Sequence, residues 1–138
     1  VDYWRKLGGA IAETTPPIPV PSAVEGTETR AVRIRPDVVK KLTPMDMNIV
    51  FQRLERPPQE AFDLVIGTSI FIYYGAFEQS LARANVAAML KPGGYLLSND
   101  KLAETVRSGL EKTLETKVEM SHDPQIVDYI FCYRRGDR

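Results

Sequence analysis

Three short stretches of this 138-residue chain hold side chains that could meet a ligand. Phe62–Thr68 (FDLVIGT) is a continuous apolar run of strand length, as expected of a buried parallel strand. Open parallel sheets bind ligands in the crevice outside the carboxyl ends of their strands. Thr68, Ser69 and Ile70 lie just past such an end, and Gly67 there would let a ligand approach the backbone. Phe71, Tyr73 and Tyr74 follow at once and supply aromatic surface for a pocket. Tyr95–Ser98 (YLLS) reads as the next buried strand, and Asn99 and Asp100 lie past its end, within reach of a bound group. A helix N-cap before Lys101 explains Asp100 equally well.

Other reactive residue types have plainer readings. Asp63, at the start of its strand, is far from the carboxyl ends and reads as structural. His122 and Asp123 fall in a turn, where a lone histidine is expected to be solvated. Cys132 alternates inside a strand and reads as a small core residue. One cysteine excludes an internal disulfide framework and points to a reducing, cytoplasmic compartment. One histidine excludes the common multi-histidine metal sites. Eighteen basic and eighteen acidic residues give a net charge of zero, which argues against a global grip on nucleic acid or membrane. No apolar run approaches the roughly 18 residues of a membrane span. A hydrophobic content of 43% is enough for a core.

The elements that must position these residues follow from pattern. Val1–Ile11 could form a short helix with Tyr3, Trp4, Leu7 and Ile11 on one face, weakened by Gly8 and Gly9. Pro16, Pro17, Pro19 and Pro21 make residues 14–29 a linker or extended arm. Residues 1–29 are therefore an N-terminal arm and 30–138 the folded domain. Arg30–Arg35 alternates as a strand, Pro36-Asp37 opens a short helix that Pro44 ends, and Asn48–Leu54 reads as a second strand. Seven basic and three acidic residues fall in 30–56. Arg30, Arg33, Arg35, Lys40 and Lys41 could bind phosphate, although a solvated strand face explains them more simply.

Gly75 precedes a helix over Ala76–Leu90, with Phe77, Leu81, Ala84, Ala88 and Leu90 as its stripe. Lys91 suits the helix C-terminus, and Pro92-Gly93-Gly94 turns the chain into the Tyr95 strand. A strand–helix–strand unit makes the two strands parallel. Leu102, Val106, Leu110 and Leu114 predict a second helix over Lys101–Leu114. Thr116–Met120 and Ile126–Arg134 then form an antiparallel hairpin. The predicted class is α/β: an incomplete Rossmann-like parallel sheet with crossover helices and a C-terminal antiparallel hairpin.

From Asn48 to Tyr133 the chain resembles the second half of a class I S-adenosylmethionine (SAM)-dependent methyltransferase. The resemblance rests on FDLVIG (62–67), the following TSIFIYY (68–74), and LKPGGYLLS (90–98), with LKPGG placed 28 residues after FDLV. It implies SAM as cofactor, contacted by Gly67, Thr68, Ser69 and Ile70. It also implies Phe71, Tyr73, Tyr74 and Asn99 around an acceptor or purine. The acidic residue that such enzymes often carry near the adenine aligns with Leu54, and Glu55 stands one position later. The FIYY segment is also similar to the glutamate methyltransferases of chemotaxis receptors, which carry asparagine where this chain has Ser69.

The family's glycine-rich loop, broadly GxGxG, has no counterpart upstream of Phe62, and no acidic residue stands where the ribose hydroxyls would be held. The chain, which begins with valine, thus reads as the C-terminal part of a catalytic domain, inactive alone, or as a degenerate relative. The missing central strand would leave the Phe62 strand with an open edge. That gap is expected to be filled by Arg30–Arg35, by Asn48–Leu54, or by a second copy, through the sheet edge or an exchanged N-terminal arm. The leading expectation is methyl transfer from SAM to an acceptor the sequence does not identify. The alternatives are a non-catalytic scaffold on a methyltransferase sheet and a weak nucleic-acid binder through residues 30–41.

Overall fold

Phe62–Gly67 and Leu90–Ser98 run parallel with Leu64 beside Tyr95, Val65 beside Leu96, Ile66 beside Leu97 and Gly67 beside Ser98. This pair anchors the structure, a computed structural model that describes residues 12–14, 16, 32–119 and 127–137. The chain divides into two units, Val1–Met45 and Asp46–Arg138.

In the first unit, β1 (Ala12–Thr14) pairs antiparallel with β2 (Val32–Ile34), placing Glu13 opposite Arg33. A single helical turn, α1 (Pro36–Val39), follows, with proline in its first turn and the Arg35 Nε 3.6 Å from Asp37. The expected strand over Arg30–Arg35 is thus present as β2. The expected helix over 1–11 and most of the proline-rich stretch lie outside the described residues.

The second unit is an α/β arrangement with a mixed sheet in the order β3-β4-β6-β5. Its elements are β3 (Phe62–Gly67), α2 (Ala76–Met89), β4 (Leu90–Ser98), β5 (Leu110–Glu119) and β6 (Val127–Arg135). β3 and β4 are the parallel pair joined through α2, and β5 and β6 form the antiparallel hairpin, with β6 against β4. Phe62 pairs with Leu90 and Leu64 with Tyr95, so the LKPGG segment bulges out of the ladder. Across this bulge Lys91 Nζ donates to Asp63 Oδ1 at 2.8 Å. Asp63 is therefore an ion-pair partner on an exposed rim, and the spacing between FD and LK is a salt bridge.

The core gathers Ile49, Val50, Phe71, Ala82, Val86, Met89, Leu90, Leu96, Leu102, Leu110, Phe131 and Tyr133. Three sequence expectations are corrected here. Asn48–Leu54 is a turn followed by irregular chain. Asn48 Oδ1 accepts from the Val50 amide, and Asn85 Nδ2 donates to the Ile49 and Val50 carbonyls at 2.8 and 2.9 Å. The carbonyls of this buried pair are bonded by a helix side chain instead of by a ladder.

The helix over Lys101–Leu114 is absent. Residues 101–109 are irregular, Gly109 takes φ +78, and Leu110 opens a strand of the hairpin. A left-handed glycine stops any helix running through it. Beyond it, Thr113, Thr116 and Val118 suit a pleated strand. Leu102 and Leu110 are buried, while Val106 and Leu114 are 44% and 56% exposed. The supposed stripe never shared a face.

The helical stripe of α2 also differs from expectation. Phe77 is 60% exposed, and the buried positions are Ser80, Ala82, Arg83, Val86, Ala87 and Met89. Two of these are polar, so an apolar count could not find the face.

Asn48–Leu54, being a turn, does not fill the edge of β3. Among the described residues β3 pairs only with β4. Leu64 and Ile66 remain 47% and 63% exposed.

Candidate ligand-binding site

The carboxyl ends of β3 and β4 lie side by side, and the two segments leaving them are tied together. The Ser69 amide donates to Asn99 Oδ1 at 2.7 Å, and Asn99 Nδ2 lies 3.4 Å from Ser69 Oγ and 3.5 Å from Asp128 Oδ2. Ser69 takes φ 55, the one positive φ among described non-glycine residues. Serine pays a steric penalty there, and the bond to Asn99 offsets it. Asn99, read from sequence as a pocket residue, is half-buried with its side chain committed to this clamp.

Gly67 is buried, and a Cβ added there would stand 2.5 Å from Phe71 Cε2. The close approach that this glycine permits is made by the Phe71 ring. Phe71 itself is only 2% exposed and belongs to the core. Tyr74 is half-buried against that core, whereas Thr68, Ser69, Ile70, Ile72 and Tyr73 are exposed, Tyr73 by 78%. Glu55 is exposed on the irregular chain before β3. Asp100 donates its amide to Ser98 Oγ at 3.0 Å, and its buried Oδ2 has no partner. The described residues thus offer a partly aromatic, exposed surface past β3. They offer no free glycine-lined cradle, since Gly67 is covered and the Ser69 amide is taken. That surface fits one wall of a SAM site and does not fit the whole of it.

Behind this surface lies a polar network that the sequence reading missed. Gln79 Nε2 donates to the Phe71 and Tyr74 carbonyls at 3.1 and 3.0 Å, and its Oε1 accepts from the Ala103 amide at 2.9 Å. Ser80, fully buried, accepts from the Thr105 amide at 2.7 Å and donates to the Ala76 carbonyl at 2.9 Å. Arg83, 3% exposed, donates to the Leu110 carbonyl at 2.7 Å, pairs with Glu104 at 3.2 Å and stacks 5.1 Å from the Tyr133 ring centre. The Tyr133 hydroxyl accepts from the Leu102 amide at 2.9 Å. Irregular segments leave backbone groups in need of partners, and here α2 supplies them. The available signal was three polar residues, Gln79, Ser80 and Arg83, in the middle of a helix between apolar ones.

Burial alone would raise the Glu104 carboxyl. Hydrogen bonds from the Ser108 amide and hydroxyl, together with the Arg83 guanidinium, outweigh it and hold Glu104 below its ordinary value.

The remaining candidates are scattered. Arg33, Arg35, Lys40 and Lys41 are exposed in the first unit, where Arg35 is paired with Asp37. His122 and Asp123 lie outside the described residues. Cys132 is half-buried on β6 and free. Among the described residues no helix is long and apolar enough to cross a membrane.

The geometry defines an α/β arrangement with an exposed, partly aromatic surface at the carboxyl end of a parallel pair. No protein-family model matches the chain, and no curated protein matches it. Among solved structures, it is similar to the N-methyltransferase NodS from Bradyrhizobium japonicum WM9, at 15% identity and a TM-score of 0.47. That match covers 65% of this chain and 57% of the NodS chain. The same protein in complex with S-adenosyl-L-homocysteine (SAH) matches at 16% identity and a TM-score of 0.47, covering 64% of this chain and 52% of that one. The chain spans little more than half the length of these structures.

Proposed function

We propose that this chain supplies the C-terminal half of a SAM-dependent methyltransferase domain and forms one wall of its cofactor site. One observation carries the reading. The segment past β3 lies at the carboxyl end of a parallel pair, where such sheets bind ligands, and Asn99 fixes it there. In this reading Thr68, Ser69, Ile70 and Glu55 contact the cofactor, and Tyr73 and Tyr74 face the cofactor or the acceptor. SAM supplies an activated methyl group, and the protein's contribution is to align donor and acceptor. The described residues do not by themselves complete the site, and the isolated chain is expected to bind without turnover.

The second reading is a scaffold domain that kept this sheet without its cofactor. It is favoured by the Phe71 ring over Gly67 and by the engaged Ser69 amide. Calorimetric titration with SAM and with SAH separates the two. Saturable binding at micromolar concentrations supports the methyltransferase reading. No heat of binding at millimolar ligand supports the scaffold.

A further inference from the structure

Beyond the Ser69–Asn99 clamp, Gln79 of α2 makes a second link between the segments leaving β3 and β4. Its two amide hydrogens go to carbonyls of the Phe71–Tyr74 turn, and its carbonyl oxygen goes to the Ala103 amide. Two acceptors on one side and one donor on the other fix the orientation of the side-chain amide. Among the described residues no other side chain bonds both the Phe71–Tyr74 turn and the Ala103 amide. The Phe71–Tyr74 turn has one internal bond, from the Tyr74 amide to the Phe71 carbonyl at 3.1 Å. The Ala103 carbonyl is held separately, by Arg83 Nη1 at 3.3 Å and more loosely by Ser80 Oγ at 3.5 Å. From Ala103 the chain continues through Thr105, held by Ser80, to Glu104 and Ser108, which bond to each other. A shift of the Phe71–Tyr74 turn must therefore either pull Gln79 or break its bonds.

We propose that Gln79 is a positioning residue that holds Phe71–Tyr74 and the chain from Ala103 onward in one fixed relation. Ligand binding at Thr68–Tyr74 would then be coupled to the order of the 103–110 segment. The ligand half of this inference rests on the methyltransferase reading; the positioning half does not. Coupling of this kind is reciprocal: whatever loosens 103–110 weakens the ligand by the same factor. The path from the Phe71–Tyr74 turn to Ala103 through Gln79 is one side chain long and can be cut at that residue, leaving the Ser69–Asn99 clamp in place.

The test uses amide hydrogen exchange by NMR on the whole chain, with two variants. Gln79→Met removes all three bonds at similar volume. Gln79→Glu keeps the acceptor for the Ala103 amide and removes both donors. In Gln79→Met the Tyr74 and Ala103 amides should exchange about tenfold faster, a typical coupling between linked sites, while the Val86 amide within α2 stays protected. Gln79→Glu should restore protection at Ala103 and leave Tyr74 fast, a selective rescue that general destabilisation would not produce. Unchanged exchange at both amides in Gln79→Met, or equal loss at both in Gln79→Glu, overturns the positioning role. With SAH as probe, saturation should slow Ala103 and Thr105 in the natural chain and not in Gln79→Met. Equal slowing in both overturns the coupling. If the natural chain does not bind SAH, the methyltransferase reading and the ligand coupling fall together, and the ligand-free comparison still decides the role of Gln79.

Discussion

Ser69 and Asn99, thirty positions apart, are joined by a 2.7 Å hydrogen bond from backbone amide to side-chain oxygen that locks the ends of two parallel strands together. Ser69 is held at φ 55 by this contact. Asn99→Ala should cost about 1 kcal/mol, the usual net worth of such a bond, and should loosen the segment past β3. Ser69→Gly removes the steric penalty of the left-handed conformation. It should recover part of the loss in the Asn99→Ala background. Thermal unfolding of the two single variants and the double variant checks this. Additive losses, with no recovery by glycine, would contradict it.

Gly67 and Phe71 make a second tight relationship. A methyl group at Gly67 would press on the Phe71 ring at 2.5 Å. Gly67→Ala should therefore destabilise by about 1–3 kcal/mol through overpacking. Adding Phe71→Leu should relieve most of that loss. Urea unfolding of the single and double variants gives both numbers.

Much of this arrangement is legible in the residues, and the failures have identifiable causes. β3, α2, β4 and β6 announce themselves through apolar runs and turn residues, although LKPGG, which reads as a turn, is a bulge within β4. The 101–114 segment is misread because leucines and valine at fourfold spacing imitate a helix. Gly109 at φ +78 and the β-branched residues after it were the contrary signals. The Asn48–Leu54 turn has a local signal in Asn48, whose side chain bonds the Val50 amide, but its burial depends on Asn85, more than thirty residues downstream. Thr68, Ser69 and Ile70 could be proposed from position alone. That Asn99 serves Ser69, and that Gln79 binds two segments at once, are facts of tertiary geometry that no spacing reveals.

Glu104, held first by the Ser108 amide and hydroxyl and then by Arg83, gives the fold a defined acid limb. The Glu104 carboxyl is held below its ordinary value of 4.5. A lowered carboxyl contributes stability that is complete above the unfolded value and is lost as pH falls through the lowered folded value. Stability should therefore fall below about pH 4.5, with faster exchange at Ser108 and Leu110 first. Glu104→Gln should flatten that part of the profile. Its cost at neutral pH should be about 1 kcal/mol, since the carboxylate is partly solvated and screened. Denaturant unfolding across acidic pH measures both.

Among the described residues the outer edge of β3 has no partner, and Leu64 and Ile66, on one face of the strand, are 47% and 63% exposed. It has none of the lysines, prolines or bulges that usually blunt an edge on that stretch. The chain is expected to self-associate with concentration. Ile66→Lys should suppress this if the edge is the interface and leave it unchanged if the N-terminal arm is. Sedimentation velocity over a range of concentrations distinguishes these. A monomer throughout would contradict the expectation.

The central claim is that the segment past β3 is a cofactor wall. A two-dimensional amide NMR titration of the chain with SAH tests it residue by residue. The account predicts saturable shifts at Thr68, Ser69, Ile70, Ile72 and Tyr73, extending through Gln79 to Ala103, with β5 unaffected. Absence of shifts at millimolar SAH, or shifts confined to residues away from the ends of β3 and β4, would contradict it.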